Sequence, residues 1–314
     1  MGEDRTSKVV RSLLRRYERA PLGARVKGIA AVAFLAVVMV ACLTHCFGLL
    51  DVRPKESLEK YTWVELQTIA HKISEARSDE EGVAIAKRYH LCRDDGTIDP
   101  ASTKTITLTG DSKKTVGVRI VGFRHDFMPE GGVAGITFCT VVPVTTSAAD
   151  EGGTDDWTSC ALRSVCAGLY VEDVGGSASG LIPHDVAAPA VCVTKQTAVA
   201  AGGAEGGVAS ARATDEVFFP LSAVECLGPM GDDAQMEGLD ARAIDAEGSQ
   251  YQLFEEQGAA WGQGNAVLSW DGSSYWLRSF SADDTGQHAA IDYTGGLVLE
   301  GAGDSLGVVV GFCY

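Results

Sequence analysis

Between Lys27 and Asp51 the chain reads GIAAVAFLAVVMVACLTHCFGLL, with no Asp, Glu, Lys or Arg inside it. A helix needs about 20 mostly apolar residues to cross the hydrocarbon core of a bilayer. Residues 28–50 are therefore expected to form a single transmembrane helix solvated by lipid. Its flanks set the orientation. Residues 1–27 carry Arg5, Lys8, Arg11, Arg15, Arg16, Arg19, Arg25 and Lys27 against Glu3, Asp4 and Glu18, whereas Asp51 opens the far side. Positive residues stay inside, so 1–27 reads as a basic cytoplasmic tail and everything after residue 50 as extracellular, at the cell membrane. A cleaved signal peptide has a shorter apolar core. "MVAC" at 39–42 approximates a lipoprotein cleavage box with Met where Leu is usual, yet the apolar run continues past Cys42 to Leu50. Cleavage, lipidation and spanning all export residues 51–314.

The net charge of −16 is unevenly spread, because the acidic side chains lie almost entirely beyond the apolar run. Such a body repels phosphate backbones, and nucleic acid is not an expected partner. Of nine cysteines, Cys42 and Cys46 fall in the apolar run. The other seven are odd in number, irregularly spaced and without a C-x-x-C. Most read as buried small apolar side chains, with one or two bridges left open and no connectivity deducible. No zinc-ligand spacing occurs.

Beyond the membrane segment, residues 51–100 read as a short polar stalk and a helical hairpin. "TWVELQTIAHKISEAR" places Trp63, Leu66, Ile69, Ile73 and Ala76 at helical intervals behind a Thr62/Glu65 capping box. "SDEEGVAIAKRYHL" repeats the pattern behind Ser78. From residue 101 to 314 the pattern is that of an α+β domain. "KTITLTGDSKKTVGVRIVGF" alternates on both sides of a turn and predicts a β-hairpin. "VAGITFCTVVPV" predicts a strand buried on both faces, and "DDWTSCALRSVCAGLY" (155–170) a capped helix. "PAVCVTKQTAV" and "DEVFFPLS" read as strands around a Gly/Ala loop, "SQYQLFEEQG" as a short helix. "SYWLRSF", "QHAAIDY" and "DSLGVVVGFCY" read as three closing strands. Strands and helices mix without a β-α-β rhythm, and no phosphate-binding glycine motif follows a strand, which argues against a doubly wound sheet.

Few residues suggest chemistry. His125, Asp126 and Glu130 cluster in "GFRHDFMPEGG", but adjacent strand residues point to opposite faces, and the preferred reading is a charged loop. No nucleophile elbow or H-E-x-x-H is present. His71, His90, His184 and His288 are isolated. Asp283, Asp284 and Asp292 offer oxygens to calcium, but "SADDTGQH" lacks the spacing and closing Glu of an EF-hand. A solvated turn is preferred, and no metal or other cofactor is expected. Trp261, Trp270, Tyr275 and Tyr293 concentrate late in the chain; with Asp283 and Asp284 they are the candidate ligand contacts. For Trp276 and Phe280 a core position on a strand is preferred, with Arg278 held by a buried carboxylate or carbonyls.

Taken in order, "WVELQTIAHKISEA", "AIAKRYHLC", "VRIVGFRHD", "AGITF", "DWTSCALRS", "EVFFPLSAVE" and "WLRS…DYTGG…GVVVGF" resemble a bacterial surface-protein family built on a domain of unknown function. The resemblance covers about residues 60–314. Trp157, Cys160 and Arg163 fall on that family's tryptophan, serine and arginine positions, and Trp276, Leu277, Arg278 and Ser279 on its WLRS signature. The close departs: Val309, Val310 and Gly311 stand where arginine, proline and alanine are expected. The C-terminal layout is also similar to the C-type-lectin-like fold of the formylglycine-generating-enzyme superfamily, whose catalytic cysteines have no counterparts here. Together these resemblances imply a mostly antiparallel, lectin-like ectodomain. The expected function is a membrane-anchored, non-catalytic binding or structural domain that meets a surface glycan or protein. The alternative is an exported, hydrolase-like enzyme using His125, Asp126 and Glu130.

Overall fold

The computed structural model describes residues 52–109, 114–152, 156–170, 180–183, 186, 189–197, 211–231, 236–282 and 284–314. The chain divides into two units, Met1–Asp51 and Val52–Tyr314. The basic tail, the apolar run at 28–50, His184 and Asp283 lie outside the described residues. Among the described residues no helix is long and apolar enough to cross a membrane.

Helix α1 (Trp63–Ser74) begins at the expected capping box. The Thr62 hydroxyl accepts from the Glu65 N–H, and the Glu65 carboxylate accepts from the Thr62 N–H at 2.7 Å. Its Trp63, Leu66, Ile69 and Ile73 are buried. Helix α2 (Asp79–Arg88) starts behind Ser78, whose hydroxyl accepts from the Glu81 N–H. α1 lies so close to the following sheet that a Cβ at Gly135 would sit 1.8 Å from the Ala70 carbonyl oxygen. Only glycine fits that crossing.

The expected hairpin is present as β1 (Lys104–Thr107) and β2 (Thr115–Phe123). β2 pairs with β3 (Ile136–Thr140), which is buried at every position, and β3 with β11 (Gly311–Cys313). The resulting four-stranded order is β1-β2-β3-β11. A five-stranded sheet runs β4 (Thr145–Ser147), β10 (Leu306–Val308), β7 (Tyr275–Phe280), β8 (Gln287–Ile291), β9 (Leu297–Gly301). There β10 and β7 meet in parallel, and the other pairings are antiparallel. β5 (Cys192–Thr197) and β6 (Ala211–Glu216) form an antiparallel ribbon. Where α1 meets the four-stranded sheet, Trp63, Phe138, Phe312 and Tyr314 make a cluster of ring contacts, with Phe138 and Phe312 stacked at 5.3 Å. The architecture is mixed α+β, with largely antiparallel sheets and few, mostly short helices.

Four local expectations are corrected. The helix over 155–170 is interrupted: a 3-10 turn at Trp157–Ser159 gives way to Cys160 in extended conformation before α3 (Ala161–Ala167). The Asp156 carboxylate draws the Thr158 N–H into the turn at 3.0 Å. The strand partner of β5 is "ARATDE", not "DEVFFPLS"; Phe219 in the latter makes one isolated bridge to Gly311. "DSLGVVVGFCY" supplies two strands, β10 and β11, to different sheets. β9 and the helices α4 (Ala223–Leu227) and α5 (Ala241–Asp245) join the expected α6 (Gln252–Glu256).

Candidate functional site

β7 carries the run WLRS, and each polar side chain on it is spent inside the protein. Trp276 is fully buried, and its indole N–H donates to the Ser147 carbonyl at 2.8 Å, tying β7 to β4. Arg278 is also fully buried. Its Nη1 donates to Glu225 Oε2 at 2.7 Å and its Nη2 to Glu225 Oε1, the two-pronged pairing that suits a planar guanidinium. Its Nε donates to the Lys195 carbonyl at 3.1 Å and Nη1 also to the Pro220 carbonyl at 2.9 Å. Glu225 is oriented by α4, where it accepts from the Ser222 N–H at 2.9 Å. Burial pulls the Arg278 guanidinium towards neutrality, but the Glu225 charge and hydrogen bonds outweigh it and hold the group above the ordinary arginine range. The Ser279 hydroxyl donates to Glu247 and accepts from the Ala223 N–H.

A second buried carboxylate gathers Trp157 and Arg163. Glu216 Oε1 accepts from the Trp157 indole at 3.1 Å and from Arg163 Nε at 2.6 Å. Trp157 and Glu216 are buried, while the Arg163 side chain is 31 % exposed. Both centres join distant segments of the chain.

The His125 corner differs from its sequence reading. Arg124, with φ of 54°, turns the chain at the end of β2, so His125 and Asp126 do not alternate across a strand. Instead His125 Nδ1 lies 3.5 Å from Asp126 Oδ1, an ionic contact without hydrogen-bond alignment. Asp126 is buried and accepts from the hydroxyls of Thr137 and Tyr251. Nε2 of His125 sits 3.0 Å from the Ser249 carbonyl oxygen and 3.1 Å from Ser249 Oγ. Burial works against charge on both groups. The Asp126 carboxylate nonetheless raises His125, and His125 lowers Asp126. Glu130 is exposed on the loop beyond and does not join them. Sequence reasoning missed Ser249, Thr137 and Tyr251 because they come from separate segments of the chain.

The candidate ligand contacts differ in burial. Trp270 and Tyr275 are buried and stack at 5.0 Å with an interplanar angle of 4°. The Trp261 indole donates to the Gly228 carbonyl at 2.8 Å. Tyr293 stands out at 65 % exposure, and exposed Asp284 accepts the Gly286 N–H within its own turn. Asp292 likewise closes a turn on Thr294 and Gly296. Among the described residues, no group of three or more His, Cys, Asp or Glu side chains is placed to hold a metal ion.

A groove of about 550 Å³ opens elsewhere, where β4, the loop before β7 and the loop before β10 converge. Its hydroxyls are Thr145, Thr146, Ser273, Ser274 and Ser305, and its charges are Lys114 and Asp271. The walls are anchored. Lys114 Nζ donates to the Pro143 carbonyl at 2.8 Å, and Asp271 accepts from the Ser273 N–H at 3.2 Å. Gly307 N–H donates to the Ser274 carbonyl at 3.0 Å. The sequence shows Asp271, Ser273, Ser274 and Ser305 only within turn-forming "DGSS" and "GDS"; the parallel contact of β10 with β7 brings the two runs together. Comparison with known proteins finds no matching family model, no matching curated protein and no matching solved structure.

Proposed function

We propose that this chain is a single-pass membrane protein, with residues 1–27 in the cytoplasm and 28–50 spanning. Val52–Tyr314 then forms a lectin-like extracellular domain that binds a surface glycan without a catalytic step. The groove at β4, β7 and β10 carries the binding part of this reading. Five hydroxyls and two opposite charges on anchored walls match the alternating donors and acceptors of a sugar. The uncharged run and the basic leader carry the topology. The buried arginine, tryptophan and serine of the WLRS strand support a role for that strand in the fold. The test is a glycan array probed with the full-length protein in detergent. Thr146→Trp, which fills the groove from an exposed strand position, should weaken any specific binding at least about tenfold. Binding unchanged by that substitution removes the groove from the reading, and an array on which only protein ectodomains bind replaces glycan by protein as the ligand.

A second reading, an exported hydrolase, has one observation in its favour: Ser249 Oγ lies 3.1 Å from His125 Nε2 on the far side of the ring from Asp126. That is the order of a nucleophile, a base and its orienting acid. Against it, the same Nε2 is 3.0 Å from the Ser249 carbonyl, the contact a protonated, structural imidazole makes. A fluorophosphonate that labels the native protein but not Ser249→Ala would establish the hydrolase; no labelling ends it.

A further inference from the structure

Two buried thiols are neighbours, and none of the sites above uses them. Ala190 and Cys313 form an antiparallel bridge, with the Ala190 N–H donating to the Cys313 carbonyl at 2.8 Å. Cys192 follows two residues later. Exposed Val191 between them turns the opposite way, so Cys192 leaves the extended chain on the face shared by Ala190 and Cys313. Cys192 and Cys313 are free thiols in this structure, and a side-chain hydrogen bond between them sets the two sulfurs side by side. Both cysteines are fully buried. The Cys313 Sγ also rests 3.6 Å from Thr137 Oγ1. Burial, then the hydrogen bond with the Cys192 thiol, pushes the Cys313 thiol up.

Resting on the outward placement argued above, we propose that Cys192 and Cys313 are joined by a disulfide in the exported protein. Two thiols lose two protons and two electrons as the Sγ–Sγ bond forms. A disulfide-bearing oxidant, either an exported thiol oxidase or glutathione disulfide, takes them up and leaves as two thiols. The bond forms during folding. Once β5 and β11 are in place both sulfurs are sealed, and a neutral buried thiol does not attack. The bridge ties the β5–β6 ribbon to β11, whose Phe312 is stacked on Phe138 in the core. β11 is three residues long, and a covalent tie across a long stretch of chain restrains the unfolded ensemble strongly.

The test refolds the full-length protein from reductant and denaturant in detergent with a glutathione redox couple, then alkylates free thiols and maps unreduced peptides by mass spectrometry. The expected result is a Cys192–Cys313 linked peptide, absent from Cys192→Ser and Cys313→Ser. A melting midpoint that falls by at least about 5 °C on reduction in the parent alone should accompany it. Free thiols throughout, or pairing of Cys139 with Cys226 or of Cys160 with Cys166 instead, overturns the proposal. Whole cells alkylated before lysis give the second arm. A bridge absent from cells overturns the proposal if an impermeant reagent reaches the domain. If the bridge forms on refolding and the reagent does not reach the domain, the pairing stands and the outward placement has failed.

Discussion

Arg278 and Arg119 are both buried arginines on inner strands, and they are compensated in opposite ways. Arg278 meets a carboxylate and two carbonyls. Arg119 on β2 is 5 % exposed and forms no ion pair with a described residue. Its Nη2 donates to the Val267 carbonyl at 2.6 Å, its guanidinium lies 4.5 Å from the Trp270 ring centroid and 5.9 Å from that of Phe254, and its Nε has no partner among the described residues. Burial lowers Arg119 below the ordinary arginine range, whereas Glu225 overrides the same effect at Arg278. The lesson is that the desolvation cost is common to both, and the consequence of removing the charge depends on what remains behind. Losing Arg278 strands Glu225; losing Arg119 strands little more than a carbonyl and two aromatic faces.

The largest test of that contrast is Glu225→Gln. It leaves the Arg278 charge in a dry site and should cost about 3–5 kcal/mol of unfolding free energy in a denaturant titration. A loss near zero would show the pair to be dispensable. Next is His288, which is buried, donates through Nε2–H to the Leu277 carbonyl oxygen at 2.9 Å, and is pushed down to about 4 by burial. The folded state holds it neutral while the unfolded chain takes up a proton near pH 6.5. Stability is therefore full above pH 6.5 and should fall by roughly 3 kcal/mol as the pH drops to 4. His125 has the opposite sign: raised by Asp126, it stabilises below its unfolded pKa and is lost as pH rises through the folded one. His288→Gln should flatten the acid limb alone, which stability measured across pH 4–7 would show. The smallest effect is expected for Arg119→Met, within about 1 kcal/mol of the parent or above it; a loss as large as that of Glu225→Gln would make the two arginines equivalent after all.

Much of the fold is legible in the sequence where periodicity and capping agree. α1, α2 and the β1–β2 hairpin carry both a repeat and a terminator, and their residues form those elements. Legibility fails where the pattern is polar or continuous. "ARATDE" has no apolar alternation, and its pairing with β5 rests on backbone hydrogen bonds. "DSLGVVVGFCY" is apolar throughout its second half, so nothing local marks the passage from β10 to β11. The break at Cys160 depends on a turn chemistry that helical spacing conceals. For the polar centres, the residue types of Arg278 and Arg163 are visible but their carboxylates are not. Glu225 and Glu216 each lie 53 residues away in sequence. "SAVE" at 222–225 does have the form of a capping box, a signal for Glu225 that goes unread beside the stronger strand pattern before it. The groove has no sequence signature, because its serines and threonines look like ordinary turns until three segments meet.

The proposed outward placement of residues 52–314 beyond a spanning segment at 28–50 is open to direct test. Intact cells treated with a membrane-impermeant amine reagent and then mapped by peptide should show modification at exposed Lys60 and none at Lys8 or Lys27. Modification of Lys60 only after lysis, or of Lys8 and Lys27 on intact cells, would contradict it.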